Sequence, residues 1–167
     1  MESNSTYYKT PIGFAEIIGD NNGIQSIALI DNNTNEQGLE KFNLPQDIPE
    51  CLQECALQLK EYFKGERTKF DLLLNPQGTS FQKLVWKELC NIPFGKTTSY
   101  LAQSKLIGES KAVRAVASAN GKNPIWIVVP CHRVIGSDGS LTGYAGGLWR
   151  KKWLLDHESP VKQQSLF

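Results

Sequence analysis

The chain has 167 residues, 40% of them apolar and 21% charged, with a formal net charge of +1. These values are typical of a soluble globular protein with one ordinary domain or two small ones. No apolar run approaches the length of a membrane-spanning helix, and residues 1–5 lack the basic start and apolar core of a signal peptide, so we expect a cytoplasmic protein with no membrane partner.

Charge is unevenly distributed along the chain. Residues 1–76 carry six Lys/Arg and twelve Asp/Glu, a net charge of −6, whereas residues 77–167 carry twelve and five, a net charge of +7. This asymmetry suggests two parts, of which the second faces a polyanion. The alternative is a chance division of a nearly neutral protein.

Three cysteines are interpreted as structural. Cys51, Cys55 and Cys90 have no paired zinc-type spacing, and a cytosolic setting disfavours disulfides. We therefore expect these three to be small buried apolar residues.

Short apolar segments broken by Gly and Asn run through the first part of the chain. They cover residues 7–8, 12–18 and 24–30 and predict antiparallel hairpins, with Asn22 and Gly23 supplying the positive φ angles of a tight turn.

A helix is expected to pack on these hairpins. After a polar loop at residues 31–38, apolar positions at helical spacing predict an amphipathic helix over residues 47–64. A short strand over residues 70–74 follows, and residues 75–78 form a linker.

Beyond the linker the periodicity becomes helical. Thr79 and Ser80 cap a first predicted helix that stops at residues 92–95, residues 97–99 cap a second helix over residues 100–107, and a third helix covers residues 111–120. Val113, Val116 and Ala117 are expected on the inner side of the third helix.

The second and third helices have the length and connection of a helix-turn-helix. They are joined by a short turn that contains Gly, and Lys111, Arg114 and Lys122 project from the second of the pair, where groove contacts are expected. The alternative is a helical hairpin that serves only packing.

Cys131 is the candidate reactive residue. The apolar residues 125–129 precede it and predict burial, Pro130 stiffens the backbone, and His132 and Arg133 follow. A thiol is mostly protonated at neutral pH, so a nucleophile needs a cation or base nearby. Adjacent side chains diverge, so His132 would act through a water. The residues alone leave an inert buried cysteine equally open.

Two glycine-rich loops, residues 136–140 and 142–147, would let a ligand approach the backbone closely. A last helix over residues 148–158 is expected to direct four side chains to the core. They are Trp149, Trp153, Leu154 and Leu155.

The run from Pro130 to Val134, the run from Gly143 to Gly147, and Lys152-Trp153-Leu154-Leu155 with His157-Glu158 closely resemble the O6-alkylguanine-DNA alkyltransferase family. The resemblance covers residues 79–158. It implies an α+β protein in which residues 1–76 form a ribonuclease H-like domain with a small antiparallel sheet and a helix. Residues 77–160 would form an all-helical, winged-helix-like helix-turn-helix domain with the active thiol, and residues 161–167 a tail.

The resemblance assigns the catalytic roles. Cys131 would attack the alkyl carbon on guanine O6 and keep the group as a thioether, so the protein would react once. His132 would take the thiol proton through a water, with Glu158 behind it, and Tyr100 would donate a proton or hydrogen bond to the departing guanine.

The same family similarity implies DNA contacts and base flipping. Arg114 would fill the gap left by the flipped nucleotide as its helix enters the minor groove, and Asn123 would be a structural hinge. The expected DNA-binding set is Arg114, Lys111, Ser99, Asn123 and Lys122. The expected substrate pocket is Tyr144, Ala145, Val134, Gly146 and Trp126.

The expected partner is double-stranded DNA that contains O6-alkylguanine, and the resemblance allows O4-alkylthymine as a second substrate. The protein is expected to be a monomer. His132 and His157 are the only histidines, so neither a metal nor a cofactor is expected. Two rivals remain. One is an alkyltransferase-like protein that binds the lesion without repair, although such relatives lack the thiol. The other is a helix-turn-helix regulator with a redox-sensing cysteine.

Overall fold

The computed structural model describes residues 3–31, 49–108 and 110–160. Two compact units are present. The first comprises Met1–Gln77 together with Pro124–Trp126, and the second comprises Gly78–Asn123 and Ile127–Phe167. Most of the predicted loop at residues 31–38, the predicted helix start at residues 47–48 and the tail at residues 161–167 lie outside the described residues.

The first unit contains the predicted antiparallel hairpins. Strands β1 (Asn4–Thr10), β2 (Gly13–Asp20) and β3 (Gly23–Ile30) form a sheet in the order β1-β2-β3. In the β2–β3 turn only Gly23 has a positive φ, 129°, so the prediction of a positive φ at Asn22 is wrong. The Asn22 backbone N–H instead donates to Asp20 Oδ1 at 2.7 Å, which holds the turn without left-handed backbone.

Helix α1 (Glu50–Phe63) packs on this sheet through its buried Leu52, Cys55, Leu59 and Tyr62. The predicted strand at residues 70–74 is wrong, because only Leu74 forms an isolated bridge, to Ile24. A Cβ at Gly23 would lie 2.8 Å from the Leu73 carbonyl oxygen, so this chain segment approaches the β3 backbone more closely than most side chains would allow.

The second unit begins with the predicted helices. Helix α2 (Ser80–Leu89) starts with a capping box, in which Thr79 Oγ1 accepts from the Gln82 N–H and Gln82 Oε1 accepts from the Thr79 N–H. Helix α3 (Tyr100–Ile107) is capped by Ser99.

The third predicted helix starts later than expected. A 3₁₀ turn at Ser110–Ala112 contains Lys111, and helix α4 runs over Val113–Gly121. Val116 is buried as predicted, but Val113 and Ala117 are half-buried and border a cavity rather than the core.

The thiol segment and a final helix complete this unit. Residues Cys131–Arg133 form a 3₁₀ turn, after which β5 (Val134–Ile135) pairs in parallel with β4 (Thr98–Ser99), so the unit is not entirely helical. Helix α5 covers Leu148–Glu158 as predicted. No helix in the described part of the chain is long and apolar enough to span a bilayer.

Several predictions of side-chain burial are wrong. Trp149, expected in the core, is 56% exposed, whereas Lys151 is completely buried, because α5 turns the face of Lys151, Leu154 and Glu158 inward. Cys55 is buried as expected, but two other cysteines are not: Cys51 is half-buried and Cys90 is exposed.

Candidate active site

The second unit contains a cavity of about 560 Å³ that Cys131 borders. One face of α4 contributes Val113, Arg114, Ala117, Asn120 and Gly121 to its wall. The remaining lining residues are Tyr100 from α3 and Thr142, Gly143, Tyr144 and Ala145 from the glycine-rich loop.

Cys131 lies at the start of the 3₁₀ turn and is held by Asn123. The Asn123 side-chain amide donates to the Val129 carbonyl at 2.8 Å and to Cys131 Sγ at 3.3 Å. Burial raises the pKa of the Cys131 thiol, and the Asn123 hydrogen bond and the positive charge of Lys151 oppose that rise. The thiol is therefore protonated at rest and needs a base to become a thiolate.

The approach to the thiol contains an unusual backbone conformation. Ile127 is buried and has a φ of 74°, in the left-handed region that a β-branched residue rarely enters. Such a conformation costs on the order of 1–3 kcal/mol and persists only where the surrounding structure imposes it. The packing around Ile127 therefore determines the backbone conformation four residues before Cys131.

A buried charge cluster supports the turn from behind. Glu158, the last residue of α5, binds His132 Nε2 through Oε2 at 2.7 Å and Arg133 Nε through Oε1 at 2.7 Å. Arg133 also donates to the Ile92 carbonyl. Burial alone would raise the pKa of Glu158, but the bonds from His132 and Arg133 outweigh it and lower this pKa to about 2.

These contacts determine the protonation of His132. Burial lowers the pKa of His132 more than Glu158 raises it, so the imidazole is neutral. The ionised carboxylate of Glu158 can only accept hydrogen bonds, so the single imidazole proton lies on Nε2. Nδ1 is then the basic nitrogen, and it is buried without a hydrogen-bond partner among the described residues. The arrangement provides an oriented base immediately beside Cys131 in the chain.

Lys151 is a site residue that sequence reasoning missed. Its Nζ donates to the carbonyls of Thr142 at 2.7 Å and Gly143 at 3.4 Å, and the Tyr100 hydroxyl also binds Thr142. Burial lowers the pKa of Lys151, while Cys131 raises it. The spacing of Lys151, Leu154 and Glu158 on one helical face could have predicted its burial, but the prediction favoured the two tryptophans instead.

The predicted DNA-binding residues lie at several places in the second unit. Arg114 is exposed at the cavity wall, Lys111 is exposed in the 3₁₀ turn, and Lys122 is exposed after the end of α4. Ser99 accepts a hydrogen bond from the Ala102 N–H as the cap of α3, and Asn123 is buried against Cys131. Their contacts with DNA stay predictions.

Only some of the five predicted pocket residues border the cavity. Tyr144 and Ala145 border the cavity, and burial and Cys131 raise the pKa of Tyr144. Val134 is buried in β5, and the Gly146 carbonyl accepts from Arg150. Trp126 belongs to the first unit, where its backbone N–H donates to Ile27, and its pocket role stays a prediction.

Within residues 3–31, 49–108 and 110–160, no group of three or more His, Cys, Asp or Glu side chains could hold a metal ion. The site residues described above include a thiol, an oriented imidazole and a tyrosine hydroxyl.

Comparison with known proteins relates both units to one family. The 6-O-methylguanine DNA methyltransferase ribonuclease-like domain matches residues 5–76, and the DNA-binding domain of the same family matches residues 80–160. A methylated-DNA--protein-cysteine methyltransferase of Methanosarcina barkeri is 45% identical over 153 residues, which are 90% of this chain and 93% of that protein. A Mycobacterium tuberculosis protein of the same name is 56% identical over 101 residues, 60% and 61% of the two chains.

Solved structures agree with this relationship. The Mycobacterium tuberculosis O6-methylguanine methyltransferase has a TM-score of 0.79 and 38% identity, covering 99% of this chain and 100% of that one. Mycobacterium tuberculosis OGT in complex with DNA also has a TM-score of 0.79 and 38% identity, with coverage of 98% and 99%. On the strength of both matched domains and these full-length likenesses, the chain belongs to the 6-O-methylguanine DNA methyltransferase family.

Proposed function

We propose that this protein repairs alkylated DNA by direct reversal, moving the alkyl group of O6-alkylguanine to its own Cys131. The family and its methylated-DNA--protein-cysteine methyltransferase relatives support the reaction class. The observation that carries the assignment to Cys131 is its position on the wall of a cavity that Tyr100 and Arg114 also border.

Thiol activation starts at His132. Nδ1 accepts the Cys131 proton through a water, and the resulting imidazolium is stabilised by the Glu158 carboxylate, 2.7 Å from Nε2. Asn123 donates to Sγ and Lys151 places a positive charge near it, so both favour the thiolate once the proton has left.

The transfer itself is an in-line displacement. A bond forms between Sγ of Cys131 and the alkyl carbon while the bond from that carbon to guanine O6 breaks, and the bonding pair passes to the guanine. Tyr100 donates its hydroxyl proton or a hydrogen bond to the guanine as negative charge accumulates. The product is a thioether, which has no good leaving group, so each molecule reacts once.

Reaction inside a duplex requires the nucleotide to leave the stack. Arg114 is exposed on the first turn of α4 and also borders the cavity, so it can occupy the space that the flipped nucleotide leaves. Lys111 and Lys122, exposed before and after α4, contact phosphates, and the occupant of the cavity is the alkylated guanine.

The central test is stoichiometric methyl transfer. Incubation with a duplex that contains O6-methylguanine, followed by digestion and mass spectrometry, is expected to reveal one added methyl group on the peptide with Cys131. Cys131→Ser should bind the duplex without acquiring the methyl group. An unmodified Cys131 beside an intact lesion would contradict the repair function and favour a protein that only binds the lesion.

Arg114→Ala is expected to slow repair of the duplex by about tenfold or more, because the extruded nucleotide loses the residue that replaces it in the stack. Transfer from free O6-benzylguanine base, which needs no flipping, should change much less. Lys83→Ala, an equal loss of charge at an exposed position of α2, is the control. Equal losses on both substrates would exclude a flipping role for Arg114.

Glu158→Gln is expected to destabilise the protein most at neutral pH. The folded-state pKa of about 2 lies below the ordinary value of 4.5, so the stabilisation by the carboxylate is complete above about pH 4.5 and is lost as the pH falls towards 2. Urea unfolding at pH 7, 4 and 3 should therefore show a shrinking difference between wild type and variant. Asp156→Asn, on an exposed carboxylate of the same helix, should show no such trend. A difference that is constant with pH would refute the assigned ion pairing.

Lys151→Met is expected to slow methyl transfer at pH 7 about tenfold, because the Cys131 thiol loses the positive charge that opposes the rise of its pKa. The pH at which transfer reaches half its maximum should shift upward, because the positive charge near Cys131 is gone. Lys152→Met removes a neighbouring exposed lysine and should leave this profile unchanged. An unshifted profile for Lys151→Met would limit that residue to holding the loop carbonyls.

A further inference from the structure

Helix α3, which carries Tyr100, is attached to its neighbours in an unusual way. The structure describes all of its residues, and its two buried side chains, Gln103 and Ser104, are both polar. Two of its large apolar side chains, Leu101 and Leu106, are 39% and 70% exposed, and a third, Ile107, is half-buried. Helices in proteins are normally held by a buried apolar stripe, so polar contacts must position α3 to an uncommon degree.

A reciprocal pair of side-chain hydrogen bonds joins α3 and α4. Gln103 Nε2 donates to Asn120 Oδ1 at 3.0 Å, and Asn120 Nδ2 donates to Gln103 Oε1 at 2.8 Å. Both side chains are deeply buried, with exposures of 1% and 5%. A reciprocal pair of hydrogen bonds is directional, so it restricts both sliding and rotation of the helices.

The pair stands next to the cavity. Asn120 itself forms part of the wall, together with Val113 and Ala117 of the same helix, while Gln103 lies about one turn after Tyr100 on α3. The spacing of α3 and α4 therefore determines how far the tyrosine ring stands from the α4 wall. The same end of α4 is also held by Trp86, whose Nε1 donates to the Ala119 carbonyl at 2.8 Å.

We propose that the Gln103–Asn120 amide bridge is a positioning element that sets the width of the cavity and thereby the size of the alkyl group that reacts. The inference rests on the proposed alkyl transfer and deepens it. Neither residue touches the reacting atoms. Their role is to hold Tyr100 and the α4 wall at the separation that suits a small substituent, since a displacement of about 1 Å at a reacting group can cost about a hundredfold in rate.

The test compares two lesions in the same duplex sequence, O6-methylguanine and O6-benzylguanine, under single-turnover conditions. The double variant Gln103→Met/Asn120→Leu replaces both amides with apolar side chains of similar size and leaves neither partner unsatisfied. We expect it to react with the methyl lesion about tenfold more slowly and to raise the benzyl-to-methyl rate ratio at least about threefold, because Tyr100 is no longer held at the narrow separation.

The double variant Gln103→Asn/Asn120→Gln is the matched control, because it exchanges the two amides and keeps a reciprocal pair. Its rate ratio should stay near that of the wild type. Thermal unfolding of each variant checks folding, and an exposed-site variant of α3, Leu106→Ala, should change neither rate. If the apolar pair does not fold, Gln103→Glu serves instead, since a carboxylate accepts from Asn120 Nδ2 but cannot donate to Oδ1.

The outcomes separate this inference from the proposed function. A wild-type protein that leaves both lesions intact overturns the proposed function. A wild-type protein that reacts, together with a folded apolar double variant or a folded Gln103→Glu variant whose rate ratio is unchanged, overturns the inference alone, because a purely structural amide pair would affect stability without altering selectivity. The inference is supported if the apolar double variant raises the benzyl-to-methyl rate ratio and the exchanged pair keeps that ratio near the wild-type value.

Discussion

The site depends on a single buried carboxylate. Glu158 lies at the end of α5 and binds His132 and Arg133 at once, all three side chains being almost inaccessible to water. A buried charge that loses its partners is strongly destabilising, so the 3₁₀ turn that begins at Cys131 must stay against the end of this helix. The same contact puts the imidazole proton on Nε2 and leaves Nδ1 basic. One interaction thus controls the position of the thiol turn and the chemical state of its neighbouring base.

A second set of polar contacts holds α4. Trp86 binds the Ala119 carbonyl, Gln103 pairs with Asn120, and Asn123 binds Cys131 Sγ, so the end of this helix is fixed from three directions. Directional bonds permit little sliding, which suits a wall that, in the proposed function, presents a flipped base. These hydrogen bonds also connect helix α4, which carries Arg114, with the Cys131 thiol in one network of the second unit.

Repair of alkylated DNA by a protein thiol places opposite demands on that thiol. It must be shielded from other reactants, and burial raises the pKa of Cys131 and keeps it protonated. It must also react when the lesion arrives, and in the proposed mechanism Asn123 and Lys151 favour the thiolate while His132 accepts the thiol proton through a water. In the proposed mechanism, binding of the lesion in the cavity controls when transfer occurs, rather than the intrinsic reactivity of the thiol.

Local sequence was sufficient for the hairpins and for the approximate positions of the helices, because turn and capping residues such as Gly23, Thr79 and Ser99 act within a few positions of themselves. It did not give every helix boundary, since the third predicted helix begins at Val113 rather than at Lys111. The resemblance named Cys131, His132 and Glu158 as site residues, and their catalytic roles stay predictions, although the structure does bring His132 and Glu158 into contact. Tertiary structure alone decided which face of α5 turns inward, where the ion pairing of Glu158 and the carbonyls of the glycine-rich loop outweigh the hydrophobicity of Trp149 and draw Lys151 inside. It likewise decided that Gln103 meets Asn120, since a pairing across two helices leaves no periodic signal in either one.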